Sequence, residues 1–411
     1  MIAYLKKLPV QLVLFLIIAF ATGDYMSLSW VRGAFTVSTL LKDFLMLLLP
    51  FVVFSYIASG LMSFEEKAPL LILGLLVAVS LSNALAVSIS YGVGSLVLPF
   101  LTQGVNVAFE APATTVLPFF TLPVRDFLNP EYYSADKAML LGLMVGLFGA
   151  FKPNVKLQQR LFSLRDGLTV LLQKTFIPLL PLYVFGFVLK LEREDSLDLI
   201  VNHYGGVFVL TLVLMVFYTL LLYFVGSLPS MKKFKDSLQN MFPAGLTGFS
   251  TMSSAAAMPV TLEATHKNID DKNFVNMVVP ATTNMHLLGD GLSIPIAVLF
   301  VLLLSGQPLP DVGQYAVFVI FYCLTKFSAA GIPGGGVLVL LPVFQKYLGL
   351  SPEMASLVAT LYILQDPLFT AFNVMGNGAF AMILQKAFRP FLKKSLPQEN
   401  LTEEELKYNV S

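Results

Sequence analysis

Asp366, Phe369, Thr370, Asn373 and Asn377 fall at positions i, i+3, i+4, i+7 and i+11, which is one face of a helix. They lie inside an apolar run from Met354 to Leu384 that reads as membrane-spanning. A charged side chain at the bilayer centre costs about 2.5–3.5 kcal/mol even on a lenient insertion scale. An acid kept there is therefore a functional hypothesis by default, a group that meets a charged substrate, an ion or a proton. The plainer alternative is a polar seam that glues helices together.

Composition says what surrounds that face. Of 411 residues, 56% are hydrophobic and 12% charged, and mean hydropathy is +0.77. Soluble domains carry about 25% charged residues, so the chain reads as an integral membrane protein. Long apolar runs recur throughout, which excludes the alternating pattern of a β-barrel. With a net charge of +1 and no basic stripe, nucleic acid is excluded as a partner. The single Cys323 cannot form an internal disulfide, and His203, His266 and His286 are scattered, so no transition-metal site is expected. No nucleophile–base pair with a positioning acid can be assembled from these histidines, which argues against an enzyme.

Six ordinary spans are expected at roughly 8–28, 36–62, 68–101, 114–151 (interrupted), 163–190 and 204–228. Lys6-Lys7 before the first run also fits a signal peptide, but a retained span is preferred because everything downstream is apolar too. Two Gly-, Ser- and Pro-broken stretches, roughly 235–265 and 314–349, alternate with strong segments at 273–305 and 354–384. Lys/Arg clusters near 6–7, 152–165, 232–235 and 386–394 put both termini in the cytoplasm if each clean segment crosses once. Each broken stretch must then enter and leave on one side, as a re-entrant hairpin. Such pairs are a sequence pointer to a transporter's binding site. The organisation expected is 1–229 for six spans, 230–390 for the core and 391–411 for a cytoplasmic tail.

Four motifs in order resemble the dicarboxylate/amino acid:cation symporter family, which includes excitatory amino-acid transporters and archaeal homologues. They are Ser253-Ser254-Ala255-Ala256-Ala257-Met258-Pro259, Ala281-Thr282-Thr283-Asn284-Met285, Gly331-Ile332-Pro333-Gly334-Gly335-Gly336 and the Asp366–Asn377 stretch. The resemblance implies an all-α polytopic membrane protein of eight transmembrane helices plus two re-entrant helical hairpins. It also implies a homotrimer in membrane lipid and cation-coupled symport of an amino acid by an elevator mechanism. Asp366 then takes the substrate ammonium. Asn373, Ser254 and main-chain N–H groups near Ser253, Ile332 and Gly336 take the carboxylate, and Thr370 adds a hydroxyl. Gly331, Pro333, Gly334 and Gly336 form the gate.

Departures from the family pattern sharpen the expectation. Phe369 stands where acidic-substrate members carry arginine, so a neutral amino acid is expected; in the alternative, Phe369 turns into a helix contact and another group binds the side chain. Asn377 replaces a sodium-ligating carboxylate. At the break in the seventh span, one alignment puts His286 at the family's acid and another puts Asp290 at its threonine. Asn284, Met285, Asn373 and, in the third span, Ser82 and Asn83 complete the expected cation set. Lys326, just before the second hairpin tip, either substitutes for a sodium or snorkels at a hydrated edge. Sodium and protons both stay open as the coupling ion, with no other cofactor. The second functional class is a non-coupled relative, an amino-acid receptor or anion-conducting protein; a dicarboxylate or glutamate symporter with an atypical side-chain site is the third.

Overall fold

A computed structural model describes residues 7–62, 69–104, 116–123, 134–152, 154–194, 197–329, 331 and 333–395. Ile332 and the tail beyond Ser395 lie outside them. The described residues form helices without strands: α1 Leu8–Thr22, α2 Leu28–Met62, α3 Pro69–Leu101, α4 Ala135–Phe151, α5 Val155–Leu171, α6 Ile177–Arg193 and α7 Leu197–Ser227. The second half adds α8 Met231–Thr251, α9 Ser254–Asn268, α10 Lys272–Thr282, α11 Leu288–Leu304, α12 Val312–Lys326, α13 Gly335–Leu338, α14 Leu341–Leu348 and α15 Pro352–Ser395. Among the described residues, five helices or helix runs are long and apolar enough to cross a membrane: 28–62, 73–101, 155–193, 200–227 and 352–388. A π-helical turn, Leu172–Phe176, joins α5 to α6, so the fifth expected span is part of one longer run.

The fourth expected span differs from its reading. Residues 116–123 are not helical, and the helix begins only at Ala135. The early piece, which contains Pro118 and Pro123, is strapped to α2 instead. Phe119 N–H donates to Thr36 Oγ1 at 2.8 Å, and Leu122 N–H to Asp43 Oδ2 at 3.0 Å. Proline supplies no N–H, so the piece meets its hydrogen-bond needs through α2 side chains rather than a helical ladder.

Local chemistry sets the boundaries in the second half. Ser230, Ser253, Asp271 and Asp311 each accept an N–H of the first turn, from Lys233, Ala256, Phe274 and Gln314. α8 ends on Met252 in the left-handed region (φ 53°), and α9 starts two residues later, so the two helices fold back as a hairpin and pack on each other. α12 and α14 make a second such pair around a tip at 327–334. α10 stops at Thr282 because residues 283–287 leave the helical ladder; Met285 and His286 N–H groups both turn back to the Thr282 carbonyl.

The helices sort into two packing groups. α2 packs on α4, α5 and α6, and α1 on α6. α11 packs on α3, α7 and α15, and α15 also receives α7, α8, α9 and α10. The broken elements therefore surround one helix, α15, whose middle carries the polar face.

Candidate functional site

α15 holds its polar side chains on one rigid face, and neighbouring elements converge on it from three directions. Asp366 is 3% exposed. Its Oδ2 accepts the Gly334 N–H at 2.6 Å and its Oδ1 the Thr370 hydroxyl at 2.8 Å. The acid thus ties the middle of α15 to the tip of the second hairpin. Gly334 reaches it with φ +73°, a conformation that a Cβ would strain.

One turn further along, a second acid comes in from α11. Asp290 Oδ1 accepts from Asn373 Nδ2 and from Tyr362 Oη, both at 2.8 Å. Its Oδ2 accepts Lys326 Nζ at 2.7 Å, and both side chains are 1% exposed. Lys326 Nζ also donates to the Gly336 carbonyl at 2.8 Å. Asn373 Oδ1 in return accepts the Asp290 N–H at 3.2 Å. Lys326 is therefore a buried, ion-paired ammonium, not a snorkelling one. An unpaired charge in this interior would be strongly disfavoured, and the pair with its added hydrogen bonds satisfies both partners.

Close backbone approach makes this geometry attainable. A Cβ on Gly289 would lie 2.3 Å from the Phe369 carbonyl oxygen, and one on Gly336 would lie 2.1 Å from Asp290 Oδ2. Gly289→Ala is expected to push α11 off α15, costing roughly 1–3 kcal/mol and weakening ligand binding as Asp290 and Asn373 separate. Thermal unfolding with and without ligand reads both effects. Phe369 is buried, its ring 5.3 Å from that of Tyr362 and tilted by 45°. It lies beside the Tyr362–Asp290 cluster and brings no charge to it.

The other expected residues form separate groups. His286 stacks on Phe380 at 4.0 Å, and its Nε2 is 2.9 Å from Ser82 Oγ of α3. Asn83 Nδ2 donates to the Met285 carbonyl at 2.8 Å. Asn83 Oδ1, Asn284 Oδ1 and His286 Nδ1 are buried without a hydrogen-bond partner among the described residues. Asn377 faces the end of α10 and is occupied there: Thr282 Oγ1 donates to its Oδ1 at 2.5 Å, and its Nδ2 donates to the Val279 carbonyl at 3.3 Å. The two alignments of the break thus lead to two places, His286 against α3 and Asp290 against Asn373.

The hairpin tips meet at the same break. Ser253 Oγ donates to the Gly331 carbonyl. A Cβ on Gly331 would be 2.3 Å from Asn284 Oδ1 and 3.1 Å from the Ala255 nitrogen. Ser254 is buried at the start of α9, and Pro333 stands in the second tip. Tyr362 and Thr282 are participants that the sequence reading passed over. Tyr362 was within reach, since it precedes Asp366 by one helical turn on the same face. Among the described residues, no group of three His, Cys, Asp or Glu side chains could hold a metal.

A sequence model described as the sodium:dicarboxylate symporter family matches residues 8–387. The chain belongs to that family. Among its relatives, excitatory amino acid transporter 2 of Homo sapiens is 30% identical over 145 residues, which is 35% of this chain and 25% of the human protein. Excitatory amino acid transporter 3 of Mus musculus is 30% identical over 165 residues, 40% of this chain and 30% of the mouse protein. An excitatory amino acid transporter of Caenorhabditis elegans is 27% identical over 148 residues, 36% of this chain and 29% of the worm protein. The matched stretch spans less than a third of each relative's length. The resemblance drawn from the four motifs is borne out. Family membership and the apolar helices together make this an integral membrane protein.

Proposed function

We propose that the chain is a secondary active transporter that couples a cation to the symport of a neutral, small or apolar amino acid. The observation that carries this is a charge count. Among the described residues of 230–390, the buried charged side chains are Asp290, Lys326 and Asp366. Asp290 and Lys326 neutralise each other. Asp366 is left as the anion for a substrate ammonium, while Asn373, Ser254 and the N–H groups of the hairpin tips serve its carboxylate. Among the described residues of 230–390 no buried cation is left over for a second carboxylate, and Phe369 offers a phenyl ring instead. A desolvated, unpaired side-chain carboxylate there would cost several kcal/mol.

The unpartnered oxygens of Asn83 and Asn284 are hard-cation donors, and with Ser82, the backbone at Met285 and His286 they form the proposed coupling site. The ion is sodium or a proton. The two packing groups support an elevator, with α1, α2 and α4–α6 as a scaffold in a homotrimer and the elements around α15 as the moving part. In this reading eight spans and two re-entrant hairpins lie in the cell membrane with both termini cytoplasmic.

A thermal-shift screen of the purified protein against amino and dicarboxylic acids, with and without sodium, tests the proposal. A neutral amino acid at 100-fold over its Kd should stabilise by about 2.7 kcal/mol, and aspartate and glutamate should not. Tight aspartate binding would remove the neutral-substrate reading. A second reading, a non-coupled receptor or anion-conducting relative, is favoured by Asn377, whose amide is engaged by Val279, Thr282 and Thr283 at the end of α10 and the start of the break. Concentrative uptake into proteoliposomes separates it from symport.

A further inference from the structure

Lys326 closes α12 just before the second tip, and Gly336 stands just after it. The ammonium donates to the Gly336 carbonyl and to Asp290 of α11, and lies 5.2 Å from the ring of Tyr322. A single charge thus braces the two sides of the tip against each other and fastens both to α11. A carbonyl and a carboxylate oxygen at 2.8 and 2.7 Å from one positive centre are the kind of ligands a hard monovalent ion takes.

We propose that Lys326 is a resident cation that holds the second hairpin closed, in place of a dissolved ion at those oxygens. The inference deepens the transport reading and rests on it for what the closure serves. Because the ammonium is covalently attached, closure at this point does not depend on ion concentration. Opening requires the hairpin to withdraw Lys326 from Asp290, which keeps its two bonds from Tyr362 and Asn373. Cation coupling then acts elsewhere, at the break beside α3. An ordinary structural ion pair predicts something different: without Lys326 the tip would loosen, and no added small cation would restore it.

The test reads the tip directly. Ser328 is fully buried two residues past Lys326, so Ser328→Cys in a Cys323→Ser background reacts with a charged methanethiosulfonate only when the hairpin opens. The purified full chain is labelled in sodium or in choline buffer. With Lys326 present, labelling should be slow and equal within twofold in both. Lys326→Ala should label at least tenfold faster in choline, and sodium or methylammonium should slow it again. Lys326→Gln, which keeps a donor for Gly336 and folds where the alanine variant fails, should likewise gain sodium dependence. Protection of the Lys326 protein only in sodium, variants still protected in choline, or variants labelled fast whatever the cation would each overturn the proposal. A protein that shows the expected pattern but binds no amino acid in the thermal-shift screen loses the transport reading and keeps this one.

Discussion

Asp366→Asn should weaken amino-acid binding by at least 30-fold while the protein still folds. Removing one partner of a buried, hydrogen-bonded charge pair costs roughly 2–5 kcal/mol, and each 1.4 kcal/mol is about a factor of ten. The asparagine keeps the shape and an acceptor for the Gly334 N–H or the Thr370 hydroxyl, so the tip has less reason to move. Loss of binding with an unchanged unfolding midpoint for the free protein would locate the effect in the ligand's ammonium. Calorimetric titration with the amino acid found by thermal shift is the measurement. Affinity within threefold of the unsubstituted protein would remove Asp366 from its assigned role. Thr370→Val, which takes away one hydroxyl, should cost much less.

The second large effect is on stability. Asp290→Ala leaves Lys326 buried without its counter-charge, and breaking such a pair costs about 3–5 kcal/mol. Asp290→Leu combined with Lys326→Met removes both charges and should regain most of that loss, since apolar replacement of a buried pair is often neutral or better. Unfolding in detergent, compared across Asp290→Leu alone, Lys326→Met alone and the double, gives the coupling between the sites. If the double variant is as unstable as the singles together, the pair is not what holds α11 to the second hairpin. Ligand binding should not return in the double variant, because Asn373 has lost the acid that orients it.

The helices were legible because hydrocarbon leaves the backbone few choices: every N–H and C=O must be satisfied internally, so apolar runs become helices. The hairpins were legible for the same reason in reverse, since the Ser253-Ser254 pair and the Gly- and Pro-bearing stretch 327–334 interrupt those runs. The piece at 116–123 was misread because hydropathy does not register where proline removes donors. The partner of Lys326 could not be read at all. Asp290 precedes it by 36 positions, and no local period connects an acid on α11 with a lysine on α12. The separate surroundings of His286 and Asp290 were hidden too, because His286 sits in the irregular break and Asp290 in the first turn of α11, so no helical period relates them. Tyr362 was missed for a plainer reason: tyrosine in a membrane span blends into the apolar background, although its hydroxyl needs a partner when buried.

The internal pairing of Asp290 with Lys326 also bears on how membrane voltage acts. With that pair cancelled, the buried charged side chains of 230–390 among the described residues leave one negative charge, on Asp366. A zwitterionic amino acid adds none, so one monovalent cation makes the loaded core electrically neutral. In the proposed cycle the loaded form then crosses with little sensitivity to voltage. The empty form feels the field, by up to about 2.3 kcal/mol per 100 mV for a charge that traverses all of it. Membrane potential would therefore set the pace of the return step and leave the delivery step alone.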